Sequence, residues 1–292
     1  ALSAQKIAFR FSKEVTVLSV NFNPPAEPDS IQNGSTVVIS VADAFNAGEK
    51  IHADMLVEDE MGNTLSVFIP LRARNDRIPQ IQLTEIRTEY SKPKCEYIEF
   101  KCTSAGELGA LRLYISDYGF EQPFYEFPRA EVRENEYVVF HLRTLDPLSV
   151  NECGDDLAES CGTDASPLGR DFWYPGSSKH IRKSDAIALC DQDGRVIDAV
   201  LLSENAEEDW TKPELREAAG FLSVHDAWRN ISGDGSFLRP PDACISGAMT
   251  PTRTLNRNES IPDSGTALDW YVCTTGGASP GLPNSTEPYS EP

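Results

Sequence analysis

The stretch 95–103 alternates strictly in polarity. Ile98, Phe100 and Cys102 fall on one side of an extended chain, and Tyr97, Glu99 and Lys101 on the other. A period of two over this length fits a strand and not a helix. Related patterns recur along the chain, separated by turn residues. Thr36-Val37-Val38-Ile39-Ser40-Val41 is dominated by β-branched residues, which favour a pleated surface. Strands are expected over 50–58 and 64–72, with Glu60-Met61-Gly62-Asn63 as the hairpin turn. Further on, Ile81, Leu83 and Glu85 are expected on one strand face. Strands follow at 111–116, Tyr125-Glu126-Phe127-Pro128, 136–142, 186–191, 195–202 and 269–274, with Asp193-Gly194 turning the last hairpin. One helix interrupts them. Thr211 is expected as its N-cap, Pro213 in its first turn, Glu214 closing a capping box and Arg229 at its end. Leu215, Ala218, Ala219 and Leu222 give it one apolar face. The fold class expected is all-β.

At 292 residues, 40% hydrophobic and 25% charged, the chain can build two cores of ordinary size. The polar connection 73–80 places a boundary near residue 78. The net charge is -20. Residues 1–80 carry 7 basic and 10 acidic groups and the remainder 19 and 36, so the second part holds most of the acidity. Such a field repels phosphate, which argues against nucleic acid as a partner. No apolar run reaches the length of a membrane span, and no signal-peptide pattern opens the sequence, so it is read as soluble.

All seven cysteines lie after residue 90, with no CxxC pair. Two readings compete: buried thiols of a reduced protein, or up to three disulfides in an exported one. Export is preferred, with Cys153 and Cys161 as the disulfide candidate, because they close a short polar loop with little apolar burial to hold it.

Phe11-Ser12-Lys13-Glu14-Val15, with Val57-Glu58-Asp59-Glu60-Met61-Gly62-Asn63-Thr64, resembles the first and last strands of bacterial immunoglobulin-like modules. For residues 1–78 this implies a spacer of about seven strands. A second resemblance runs over 79–284. It rests on Leu83-Thr84-Glu85-Ile86, Glu96-Tyr97-Ile98-Glu99-Phe100, Phe127-Pro128 and Glu136-Tyr137-Val138-Val139-Phe140. It continues through Ser184-Asp185-Ala186-Ile187-Ala188-Leu189, Asp193-Gly194-Arg195-Val196-Ile197-Asp198 and Thr254-Leu255-Asn256-Arg257. It closes on Asp269-Trp270-Tyr271-Val272 and Ala278-Ser279-Pro280-Gly281-Leu282-Pro283-Asn284. In this order the pieces resemble the lamin tail domain (LTD) family, an immunoglobulin-type β-sandwich found in nuclear intermediate filaments and in exported bacterial proteins. The resemblance implies tethering or adhesion and supplies no catalytic residue. It leaves 143–183 and 203–249 as insertions, the second of them helical, and 285–292 as a flexible tail.

Chemistry is sparse in the pattern. His52, His141, His180 and His225 sit in no GxSxG or HExxH frame and are read as surface or capping residues. Glu85 and Glu99 would suit glycosidase work only across a cleft. A buried carboxylate accepting backbone N–H bonds is the preferred reading of Glu85. Asp155, Asp156 and Asp164 are metal candidates in an acidic loop, weighed against plain hydration. Asp191-Gln192-Asp193-Gly194 is read as a turn rather than a calcium loop. Trp173, Tyr174, Trp210 and Trp228 lie in or beside the insertions and are the binding candidates, with a core-roofing role as the alternative. Trp270 is expected in the core.

The sequence therefore predicts two immunoglobulin-like β-sandwiches in a non-enzymatic, exported binding or architectural protein of the bacterial cell envelope. It would have no cofactor, and a protein or glycan as partner. The alternative is a hydrolase of envelope glycan or phosphoester with its site in the insertions.

Overall fold

The computed structural model describes residues 2–116 and 119–290. It is mostly β, with 37% strand and 7% helix. Two compact units emerge: residues up to Ile78 together with Glu107–Ala110, and Pro79–Gly106 together with the chain from Leu111 onward.

The first unit contains β1 (Lys6–Arg10), β2 (Val15–Asn23), β3 (Pro28–Gln32), β4 (Thr36–Val41), β5 (Lys50–Asp59) and β6 (Thr64–Arg72). They form two three-stranded antiparallel sheets, β1-β4-β3 and β2-β5-β6. Alternation decides which side chains turn inward. Ile7, Val37 and Ile39 from one sheet, with Phe22, Ile51 and Met55 from the other, build one core. At the β5–β6 turn Asp59 Oδ1 accepts hydrogen bonds from the N–H groups of Met61 (2.9 Å) and Asn63 (2.8 Å), while Gly62 takes φ +79°. A side chain would oppose that backbone.

The second unit begins with β7 (Ile81–Arg87) and β8 (Tyr97–Cys102); after β9 (Gly106–Glu107), where the chain divides between the units, it holds β10 (Arg112–Ile115), β11 (Tyr125–Glu126), β12 (Glu131–Val132) and β13 (Glu136–His141). It continues with β14 (Arg170–Trp173), β15 (Asp185–Cys190), β16 (Val196–Ser203), β17 (Cys244–Ile245), β18 (Leu255–Arg257) and β19 (Trp270–Val272). A six-stranded sheet runs β14-β13-β8-β7-β18-β19 and a five-stranded sheet β11-β10-β15-β16-β17. Pairing is antiparallel except for β13 with β14 and β16 with β17, which are parallel. The expected insertion 143–183 thus contributes a strand to the sheet. Phe127, beside β11, meets Phe100, Phe140 and Phe172 of the larger sheet at centroid distances of 5.5, 5.6 and 5.4 Å, so aromatic edge-to-face contacts fill the space between the sheets.

The helix, α1, covers Pro213–Val224, and Leu215, Ala218, Ala219 and Leu222 are its buried residues. Its N-cap is Lys212 and not Thr211, no side chain caps it, and it ends five residues before Arg229. The β15–β16 turn is an Asx turn. Asp191 Oδ1 accepts from the N–H groups of Asp193 (2.8 Å) and Arg195 (3.0 Å).

Candidate functional site

Strand alternation gives the six-stranded sheet two unlike faces. One carries Ile98, Phe100, Val138, Phe140 and Phe172. The other follows the register Asp171–Val139–Glu99–Glu85–Asn256–Tyr271, with Trp173, His141, Tyr97 and Arg87 in the neighbouring row. Glu85 reaches this face because the register slips between Leu83 and Glu85. The extra residue of the bulge turns Glu85 away from the side that Leu83 faces, which corrects the expectation that they share it.

The centre of this polar face is sealed. Glu85, Glu99, Tyr97, Asn256, His141 and Asp171 are all 0% exposed. The chain that covers it is held by carboxylates. Glu99 accepts from the Gly281 N–H (2.7 Å) and the Thr84 hydroxyl (2.7 Å). Glu85 accepts from the Ser279 N–H (3.2 Å), the Ser279 hydroxyl (3.3 Å) and the Thr254 hydroxyl. Glu259 accepts from the Asn284 N–H (2.8 Å), the Tyr137 hydroxyl (2.6 Å) and Lys101 Nζ (3.1 Å). Burial raises the Glu85 carboxyl above the usual range against the pull of these hydrogen bonds. Burial raises Glu99 well above it, and the neighbouring Glu85 charge adds to the shift.

The other cover is the loop before β14. Glu152 accepts from the N–H groups of Ser160 (3.0 Å) and Asp171 (2.7 Å). Asp171 accepts from the Ser166 N–H (2.8 Å) and faces His141 Nε2 at 2.8 Å. Asp164 accepts from Arg87 Nη1 and the Cys95 N–H, both at 2.7 Å. His141 is therefore neither a surface nor a capping residue. Its strand parity with Tyr137 and Val139 is the signal that finds it.

Water reaches a different place. A cleft of about 350 Å³ opens where β15 and β16 approach the start of α1. Its rim carries Arg182, Lys183 and Lys212 with Glu204, Glu207 and Asp209, and Trp210, Leu215 and Pro240 line it below. Asp209 pairs with Arg216 at 2.6 Å.

The aromatic candidates are not gathered on one surface. Trp173 is buried, stacked on His141 at 3.8 Å, with its Nε1 donating to Ser160 Oγ (3.0 Å). Trp210 and Trp228 are buried, with their Nε1 donating to Leu238 O and Asp242 O, both at 2.9 Å. Tyr174 is half-buried between Phe124 and His180, 4.4 Å from each ring. Trp210 lines the cleft at the start of α1, and the indoles of Trp173 and Trp228 fill gaps under loops. Trp270 is buried under Arg257.

Cys153 and Cys161 are exposed free thiols with no bond between them, and the other five cysteines are buried free thiols. The loop they flank is instead held by Glu152, whose carboxylate reaches Ser160. Asp156 accepts from the Ala158 N–H and Asp164 is committed to Arg87, so Asp155, Asp156 and Asp164 do not converge. Among the described residues, no three His, Cys, Asp or Glu side chains stand together to hold a metal. No described helix is long and apolar enough to cross a membrane.

A family model described as TP_1001_2nd, protein second domain, matches residues 79–272. An uncharacterized protein of Treponema pallidum (strain Nichols) is 26% identical over 226 residues, which is 74% of this chain. The match spans 56% of that relative's own length. A crystal structure of a DUF4876 family protein from Bacteroides thetaiotaomicron VPI-5482 aligns over 93% of this chain and 92% of that one, at 10% identity and a TM-score of 0.34. No lamin tail domain is indicated by these matches, and the matching family model overturns that resemblance. The short motifs behind it are alternating strands and turns, which many β proteins share. Because the match covers well over half of its length, the chain belongs to the TP_1001_2nd family.

Proposed function

We propose that this protein is a non-enzymatic binding or architectural module that meets its partner through the charged cleft at the start of α1. One observation carries the reading. Glu85 and Glu99, the carboxylates best placed for hydrolytic chemistry, are closed off from solvent and accept hydrogen bonds from the protein's own cover. A glycosidase needs such a pair open to substrate on both sides of the scissile bond. The cleft beside Trp210 offers instead rim groups of both signs over an apolar base, which suits orienting a partner by paired charges.

The reading takes each unit as an immunoglobulin-like sandwich and the partner as a protein or glycan of the bacterial envelope. The lost lamin-tail resemblance no longer supports export, so cell fractionation has to test that part. The binding test is a glycan array and an envelope pull-down with the wild type and a Lys212→Glu variant. A ligand held by the wild type and released by the variant is expected. Turnover of a glycan or phosphoester panel by the wild type would establish the hydrolase instead.

A further inference from the structure

The segment 276–284, Gly-Gly-Ala-Ser-Pro-Gly-Leu-Pro-Asn, has no secondary structure of its own. It lies over the polar face of the six-stranded sheet, and three of its N–H groups end on three different carboxylates: Ser279 on Glu85, Gly281 on Glu99 and Asn284 on Glu259. The Asn284 amide adds bonds to Thr84 O (2.8 Å) and Arg257 O (3.0 Å). No strand ladder backs these contacts, so closure of the segment depends on what the carboxylates can accept.

Glu85 and Glu99 are register partners on adjacent strands, both fully buried. The titratable and charged groups around them are unevenly matched. Arg87 on β7 and Lys101 on β8 are the cations, and Lys101 is engaged by Glu259. Arg87 is engaged by Asp164. Tyr97 on β8, Tyr137 on β13, Tyr271 on β19 and Cys273 add no positive charge, Glu259 adds a negative one, and His141 on β13 faces Asp171 on β14. Two adjacent carboxylates in such a place cannot both ionise cheaply.

We propose that the segment 276–284 is a latch whose closure requires one proton on either Glu85 or Glu99. With that proton present, one net charge sits under the segment and every N–H keeps an acceptor. Loss of the proton puts two like charges side by side beneath the strap. Separation of β7 from β8 is blocked by their ladder, so the relief comes from lifting the strap and admitting water. The direction is fixed by the chemistry: both carboxyls hold protons more tightly when closed than when hydrated, so closure weakens as pH rises.

Amide hydrogen exchange of the full chain, followed at Ser279 and Gly281 from pH 6 to pH 9 with the intrinsic pH dependence divided out, tests the latch. In the wild type, protection is expected to fall by up to about tenfold per pH unit once the remaining proton leaves. In both Glu85→Gln and Glu99→Gln, which lack the like-charged neighbour but keep one buried carboxyl, the fall is expected to be smaller and to come at lower pH than in the wild type. Flat protection in the wild type, or the same fall in either variant, overturns the proposal. If a variant does not fold, carbon-13 carboxyl NMR of the glutamate-labelled wild type decides. A carboxyl still protonated at neutral pH whose ionisation tracks the loss of Gly281 protection supports the latch, and its absence overturns it.

Discussion

Asp198→Asn should remove a pH dependence of folding that the wild type carries. Asp198 lies on β16 and is buried between the sheets, where its Oδ2 accepts from the Leu83 N–H of β7 (2.7 Å) and from Arg257 Nη1 of β18 (3.2 Å). Its Oδ1 accepts from the Ala199 N–H at 2.8 Å. Arg257 cannot neutralise it fully, because the same guanidinium also serves Asp263 and, at 3.7 Å, Asp269. Burial therefore outweighs the cation and pushes the Asp198 carboxyl up from 3.8 to about 7. A rise of about 3 units corresponds to about 4 kcal/mol. A raised carboxyl means the folded state binds the extra proton. Stability from this group is then complete below pH 4 and is lost as pH climbs to about 7, with no further loss above. Urea unfolding of the wild type and of Asp198→Asn at pH 5, 6, 7 and 8 isolates it, since every other titrating group is common to both. The wild type should lose about 2 to 3 kcal/mol relative to the variant between pH 5 and pH 7. Parallel stability curves would refute the reasoning. A wild type that gains on the variant as pH rises would show that Arg257 outweighs burial.

Three further outcomes follow from single contacts. Gly169→Ala places a Cβ 2.7 Å from Gly281 Cα and 3.2 Å from Tyr137 O, so it should lower protection of the Gly281 amide at every pH and cost about 1–3 kcal/mol by thermal melting. Asp164→Asn leaves Arg87, 2% exposed, without its carboxylate, and should cost about 3–5 kcal/mol in denaturant unfolding. Trp173→Phe gives up the bond to Ser160 and part of the stack on His141, with an expected loss of about 1–2 kcal/mol and lower exchange protection in the loop before β14.

Alternation and helical spacing, both local properties, were enough to read which way most side chains point. Tyr97, Glu99 and Lys101 share a face opposite Ile98, Phe100 and Cys102, and Leu215, Ala218, Ala219 and Leu222 are the buried side of α1. Asp191 as a turn former was equally legible. Glu85 was legible as an acceptor of backbone bonds but not in its orientation, because a bulge between Leu83 and Glu85 reverses the parity on which such a reading depends. His141 looked bland, since its partner Asp171 is 30 residues away and meets it only through a parallel strand pairing. The indoles of Trp173, Trp210 and Trp228 carried no mark separating a surface platform from a plug, because the hydroxyl or backbone carbonyl that fixes each one lies 13 to 28 residues away along the chain. The clasp of 276–284 is the extreme case: Ser279 and Glu85 are 194 residues apart. The amino-acid order by itself determined a β-rich, acidic chain with one amphipathic helix. Only the tertiary structure decided which sheet face Glu85 and Glu99 occupy and which segment they anchor, because burial and partnership depend on which distant backbone arrives above them.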